Sequence, residues 1–210
     1  MIKNLVFDFG GVIVDIDKSK AIRQFKEIGM ADIEHYLGLY AQKGIFLEVE
    51  EGTIDDITFC KKLSELVGEE LSYAEVKKAW LSFFLALDES RLDYIESLKP
   101  DYSLYILSNT NPFIQSWAQS PDFSSYGKSL NDYFDKIYTS YEIGYIKPHR
   151  EIFDFMVKDA NLNPSETLFI DDGPKNIEAA QKLGFKTYLV SPQKDWQGDL
   201  TELLMNDGVK

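Results

Sequence analysis

A single cysteine, Cys60, leaves no partner for an internal disulfide, so the expected setting is a reducing, cytoplasmic one. No apolar run is long enough to span a membrane. The stretch Ile2 to Val14 is apolar, but Asp8 interrupts it and only Lys3 supplies positive charge ahead of it. It lacks the unbroken core and small-residue cleavage site of a secretory signal. Positive charge is scarce throughout: 22 Lys and Arg against 35 Asp and Glu leave a net charge of -13. A surface that acidic repels a phosphate backbone, which argues against a nucleic-acid partner. It also repels a phosphate-bearing small molecule, unless clustered carboxylates hold a divalent cation that reverses the local field. Internal repeats and low-complexity tracts are missing, as is a Gly-x-Gly-x-x-Gly after the first apolar run, which argues against a dinucleotide-binding dehydrogenase.

What is present reads as a folded chain of 210 residues, the size of one sizeable domain or a domain with an insert. Five short apolar runs, Ile2–Phe7, Ser103–Leu107, Lys136–Thr139, Thr167–Ile170 and Lys186–Val190, predict buried parallel strands. Amphipathic stretches lie between them at Arg91–Leu98, Pro112–Gln119, Arg150–Ala160 and Pro174–Leu183. The last carries Pro174 at its start and Gly184 at its stop. The alternation predicts an α/β fold with a Rossmann-like, doubly wound parallel sheet. One block breaks it. From Lys18 to Leu87 only helical spacing is evident, as in Ile54, Ile57, Cys60, Leu63, Val67 and again in Val76, Trp80, Phe83, Phe84, with Gly44 to Val49 ambiguous. This block is expected to be an inserted α-helical cap domain, over 18–87, on a core of 1–17 and 88–210. The polar tail from Pro192 onward is expected on the surface.

In open α/β sheets, ligands collect at the carboxyl ends of the strands. The first run ends in Asp8, followed by Phe9, Gly10 and Gly11. The second ends in Ser108 and Asn109, and the fourth in Asp171, Asp172 and Gly173, while Lys147-Pro148 follows the third. Singly, each has a structural explanation as a turn residue, helix cap or solvated lysine. Together they suit phosphoryl transfer. A carboxylate attacks phosphorus to form an aspartyl-phosphate, a divalent metal brings the two anions together, and a hydroxyl and a lysine bind the transferring oxygens.

At these residues the chain resembles the haloacid dehalogenase superfamily. Phe7-Asp8-Phe9-Gly10-Gly11-Val12 resembles the first motif and Ser108-Asn109 the second. Lys147-Pro148 resembles the third, and Asp171-Asp172 with Asn176 the fourth. The resemblance implies a Rossmann-like core with a helical cap inserted after the first motif, and a magnesium-dependent phosphatase acting on a small phosphorylated substrate. It implies Asp8 as nucleophile, Ser108, Asn109 and Lys147 at the phosphate, and Asp8, Asp172 and the Gly10 carbonyl around Mg2+, with Asp171 and Asn176 in support. Glu51-Gly52 resembles the cap loop that faces the active site and governs specificity; Glu48, Trp80 and Phe84 are further cap candidates, with packing favoured for the aromatics.

One position departs from the pattern. Phosphatases of this family carry Asp-x-Asp, and the second Asp is the general acid and base; here it is Gly10, and Asp15 and Asp17 lie too far along to replace it. The opening resembles a branch that includes a phosphatase of α-glucose 1-phosphate, whose anomeric oxygen leaves readily. A sugar phosphate, especially a sugar 1-phosphate, is therefore the expected substrate. The alternatives are an inactive phosphate-binding pseudoenzyme and, on the same scaffold, a 2-haloacid dehalogenase. His35 and His149 are not expected to be catalytic; His149 suits a capping or surface role.

Overall fold

The computed structural model describes residues 1–38, 42–191 and 195–208. The chain begins with β1 (Asn4–Phe7), passes through β2 (Val14–Ile16) and enters five helices: α1 (Lys18–Glu27), α2 (Ile33–Tyr36), α3 (Ile45–Glu50), α4 (Asp56–Val67) and α5 (Tyr73–Leu81). It returns through β3 (Phe84–Leu87) and α6 (Glu89–Leu98) to β4 (Ser103–Ser108), α7 (Pro112–Ala118), β5 (Lys136–Thr139), α8 (Ser140–Ile143) and α9 (Arg150–Asp159). It closes with β6 (Thr167–Asp171), α10 (Pro174–Lys182), β7 (Lys186–Leu189) and α11 (Gln197–Gly208). No helix among the described residues is long and apolar enough to cross a membrane.

The five expected strands form one parallel sheet in the order β5-β4-β1-β6-β7. Its residues alternate between two apolar layers. Leu5, Phe7, Leu104, Ile106, Leu168 and Ile170 face the larger core, which includes Leu92 and Ile95 of α6. Val6, Leu107 and Phe169 face Ile152, Phe153 and Met156 of α9 and Ile177 and Ala180 of α10. Apolar residues on both faces require helices on both faces, which is why these strands read as continuous hydrophobic runs. From β1 the chain builds outward to β4 and β5 on one side and later to β6 and β7 on the other. The switch point therefore lies at the end of β1, where such sheets place their crevice.

Two expectations need correction, and one ambiguity is resolved. The block from Lys18 to Leu87 is not wholly helical: Phe84–Leu87 is a strand, paired antiparallel with Val14–Ile16. A short aromatic and aliphatic run satisfies helical and extended spacing equally, and its partner lies far away in the chain, so local periodicity had no means of finding the pair. The ambiguous Gly44 to Val49 stretch becomes α3. The polar tail is not simply superficial either. Pro192 lies outside the described residues, but Trp196, Leu200 and Leu204 are buried along one side of the last segment and helix. Their i, i+4, i+8 spacing is a narrow stripe masked by the polar residues around it.

The helical block packs around aromatic rings. Phe46 lies 5.1 Å from Phe25, 5.1 Å from Phe59 and 5.4 Å from Trp80 between ring centroids. Into this cluster α7 inserts Phe113, which is fully buried, with centroids 5.6 Å from Phe59, 5.1 Å from Tyr73 and 6.4 Å from Trp80. Trp80 is thus a packing residue, as expected, and Phe84 packs on Phe9 and Trp117.

One polar side chain is out of place in this packing. Glu50 is buried on α3, and burial pushes its carboxyl up to about 8, reinforced by Glu51 and opposed by a hydrogen bond from Gln42. Because the folded-state value lies above the ordinary 4.5, the folded form holds the proton more tightly, and stability falls as pH rises from there to about 8. Glu50→Gln is expected to stabilise the protein by about 2 kcal/mol at pH 8. The gain should fade toward pH 4.5, a difference readable in urea midpoints at the two pH values.

Candidate active site

The register of the sheet assembles the site. Phe7 pairs with Ile106 on one side and Ile170 on the other, so Asp8, one residue further, stands between the ends of β4 and β6. Its backbone N–H continues the ladder by donating to the Ile170 carbonyl at 2.8 Å. β4 ends at Ser108 and β6 at Asp171. Three strand ends therefore deliver side chains to one place, as the sequence implies.

Lys147 ties them together. Its Nζ lies 2.8 Å from Asp8 Oδ1 and 2.7 Å from Asp171 Oδ2, with the lysine almost wholly buried. Burial works against its charge, but Asp171 and Asp8 outweigh that and hold the ammonium above its ordinary range. Asp171 Oδ1 accepts from the Gly173 N–H at 2.7 Å and Asn176 Nδ2 at 2.9 Å, so its carboxylate is fully occupied as a support. Asn109 is engaged with the backbone of the same lysine. Its side-chain oxygen accepts from the Lys147 N–H at 2.7 Å and its Nδ2 donates to the Lys147 carbonyl at 3.0 Å, clamping the lysine backbone. Ser108 is buried at the mouth of β4, and among the described residues its hydroxyl makes only a long 3.4 Å contact with the Asn109 carbonyl. That leaves the hydroxyl available to another acceptor.

Asp8, Asp171 and Asp172 offer one oxygen each within 4.8 Å of one another. Burial, opposed by Lys147 and reinforced by Asp171 and Asp172, pushes Asp8 up to about 7. Burial and Asp171 raise Asp172 as well, with Lys147 opposing. Three carboxyls facing one ammonium repel each other unless protons or a cation intervene. The oxygen donor set suits a hard divalent ion. The backbone beside it is shaped for that crowding: Gly11 has φ +81°, and a Cβ there would fall 2.3 Å from Asp172 Oδ2. Only glycine lets the chain pass so close to the carboxylate.

Gly10 is different. A Cβ added to it would meet nothing nearer than Ile16 Cγ2 at 3.5 Å, so a Cβ fits there without displacing backbone. Neither neighbouring acid is free to act in its place. Asp15 is ion-paired with Arg91 at 2.9 Å, and Asp17 caps α1 through the Ser19 N–H at 2.9 Å. Glu51 is half-buried at the end of α3. The adjoining Gly52, with φ +69°, lies so near Tyr141 that a Cβ would fall 2.0 Å from its carbonyl oxygen, which seats the 51–53 loop on the segment leading to Lys147. Glu48 pairs with Lys62 at 2.6 Å on the surface of the helical block. His35 is exposed, and His149 is exposed at the cap position of α9, where its side chain makes no capping bond.

A haloacid dehalogenase-like hydrolase profile matches residues 2–184. The chain belongs to the haloacid dehalogenase-like hydrolases. The phosphoric monoester hydrolase expected from the motifs is in keeping with its relatives. A D-ribitol-5-phosphate phosphatase of Bacteroides thetaiotaomicron is 54% identical over 204 residues, covering 97% of this chain and 99% of that protein. Among solved structures, a predicted HAD-like family hydrolase of Porphyromonas gingivalis superposes with a TM-score of 0.94 at 45% identity, covering 97% of this chain and 98% of that one. A HAD family enzyme of Bacteroides thetaiotaomicron, a mutant in complex with magnesium and inorganic phosphate, superposes with a TM-score of 0.90 at 36% identity, covering 95% and 99%. An L-2-haloacid dehalogenase shares the fold at 19% identity, with a TM-score of 0.64. The resemblance to a glucose-1-phosphate branch finds no counterpart in these relatives, whose named sugar-phosphate substrate is an acyclic pentitol 5-phosphate.

Proposed function

We propose that this hydrolase removes phosphate from a small phosphorylated sugar or sugar alcohol, with a pentitol 5-phosphate as the leading candidate, through an aspartyl-phosphate on Asp8. The observation that carries the reading is the convergence of Asp8, Asp171, Asp172 and buried Lys147 at the switch point of the sheet. The relative named for D-ribitol 5-phosphate supplies the substrate class.

Both contacts to Asp8, from Lys147 and from the Phe9 N–H at 2.7 Å, fall on Oδ1, so we assign the attack to Oδ2. Oδ2 forms a bond to phosphorus as the ester oxygen departs with its electron pair and takes a proton from solvent; a water then attacks the acyl phosphate, giving up a proton to solvent, to release inorganic phosphate and restore the carboxylate. Lys147 Nζ and the Ser108 hydroxyl donate to the transferring oxygens, and Asn109 holds Lys147 in place. Asp8, Asp172 and the Gly10 carbonyl would hold Mg2+, with Asp171 and Asn176 bracing the set. When bound, the ion neutralises the meeting anions. Residues 18–87, with Glu51 on the loop seated against Tyr141, act as the cap that selects the substrate.

Gly10 keeps a second substrate in contention, because without a carboxylic acid at that position a sugar 1-phosphate with its better leaving group is favoured over a primary alkoxide. A phosphate-release assay with Mg2+ on D-ribitol 5-phosphate, α-D-glucose 1-phosphate and glucose 6-phosphate separates these readings. The expected order places ribitol 5-phosphate first. A preference for glucose 1-phosphate would shift the assignment to the anomeric phosphate, and Gly10→Asp, whose Cβ the local space admits, should then broaden activity toward the other esters. Release from none of them, with Mg2+ and phosphate still bound, would sink the catalytic reading in favour of a phosphate-binding protein.

A further inference from the structure

The turn that carries the nucleophile is held from behind by two residues that the chemistry does not use. Residues 9–14 fold back on themselves: the Ile13 and Val14 N–H groups both donate to the Phe9 carbonyl, at 2.9 and 3.1 Å, and the Gly11 N–H donates to the Val14 carbonyl at 2.8 Å. The front of this turn touches two of the three carboxylates of the site, Asp8 and Asp172. The Phe9 N–H donates to Asp8 Oδ1 at 2.7 Å, and Gly11 lies against Asp172 with no room for a Cβ. The back of the turn presents the Val12 and Ile13 carbonyls, and two buried donors meet there. Trp196 Nε1 donates to the Val12 carbonyl at 2.9 Å. Arg91 places one guanidinium nitrogen 3.3 Å from the Val12 carbonyl, 3.3 Å from the Ile13 carbonyl and 2.9 Å from Asp15 Oδ1.

Both donors are rigidly mounted. The Trp196 ring is 1% exposed and packs 5.8 Å from Phe7, the residue before the nucleophile, and 5.8 Å from Tyr94 of α6. Tyr94 is in turn hydrogen-bonded to Thr201 of α11 at 2.7 Å. Arg91 is 8% exposed and lies in the first turn of α6 just after β3, while its partner Asp15 lies in β2, so the guanidinium bridges the outgoing and returning strands of the helical block. A backbone carbonyl with two buried donors is fixed in depth as well as direction, because shifting the turn strands both in a low-dielectric interior.

We propose that Arg91 and Trp196 are positioning residues for the metal cradle: by fixing the depth of the 9–14 turn, they set the spacing of Asp8 and Asp172, and hence the affinity of the site for Mg2+. The inference rests on the Mg2+ reading given above. Supporting groups of this kind around metal ligands are worth about 10–100-fold in affinity.

The test is calorimetric titration of Mg2+ into wild type, Trp196→Phe, Arg91→Lys and Arg91→Met, with thermal unfolding recorded in the presence and absence of the ion. Trp196→Phe keeps a ring against Phe7 and Tyr94 but removes the donor. It is expected to weaken Mg2+ binding about tenfold, and Arg91→Met more than Arg91→Lys. The protection that saturating Mg2+ gives the wild type should shrink in the same order. An unchanged Mg2+ dissociation constant in Trp196→Phe, with unfolding temperature lowered equally with and without the ion, would overturn the inference and leave Trp196 a packing residue. Should Arg91→Met fail to fold, Trp196→Phe and Arg91→Lys decide. A wild type that binds no Mg2+ in the millimolar range would sink the metal reading itself, and this inference with it.

Discussion

Asp8→Asn is expected to lower kcat by at least about 10^4-fold, because it removes the attacking oxygen while leaving the pocket its shape. The same variant should make the metal-free protein more stable at neutral pH. Asp8 is pushed up to about 7 by burial, against Lys147 and with Asp171 and Asp172. A folded-state value above the unfolded 3.8 means stability that is fully present below that pH and is lost as pH rises through about 7. Asparagine carries no such cost, and Lys147 keeps Asp171 as its partner at 2.7 Å. The variant's advantage should grow between pH 4 and 8 to about 2 kcal/mol and shrink again when Mg2+ is added to the wild type. Unfolding in urea at several pH values, with and without the ion, measures both trends. Full turnover in Asp8→Asn would end the aspartyl-phosphate mechanism. An equal midpoint at pH 8 would show that the carboxyl is better solvated than its burial implies.

Lys147→Met should have the opposite effect on stability. It leaves Asp8 and Asp171 facing each other without the ammonium that lies 2.8 and 2.7 Å from them, in a site where the lysine side chain is 1% exposed. Removing one partner of a buried ionic group costs about 3–5 kcal/mol, since the remaining charge has no solvent to turn to. The loss should be larger at pH 8 than at pH 5, because Asp8 accepts a proton in acid and relieves part of the repulsion. Turnover should fall with it, by about 10^2-fold or more, through loss of a donor to the transferring phosphoryl group. A urea midpoint matching wild type at pH 8 would sink this prediction.

The parts of the fold that depend on local sequence were legible. β1, β4 and β6 are short apolar runs with buried residues on both faces, and a run of that kind announces itself, whereas β5 and β7 at the sheet edges are less buried. The placement of the candidate site residues was legible for a related reason: a polar residue at the end of such a run, as Asp8 after Phe7 or Asp171 after Ile170, stands at the carboxyl edge of a parallel sheet wherever that strand is placed. What depended on distant partners was not. Phe84–Leu87 becomes a strand only because Val14–Ile16 lies beside it. Nothing in the Ser108-Asn109 motif announces that the Asn109 amide clamps the Lys147 backbone. Arg91 and Trp196 carry no motif at all; their meaning comes from a carbonyl to which both are brought by tertiary packing.

Phe113 gives the helical block an energetic threshold. The ring belongs to the helix that follows Ser108 and Asn109, yet it is seated among Phe59, Tyr73 and Trp80 of the opposite layer. Withdrawing a phenylalanine into water costs about 1.5–3 kcal/mol. At about 2 kcal/mol, the unseated state accounts for roughly 3% of molecules. One ring thus contributes a threshold of that size to any separation of the helix after Ser108 from the helical block.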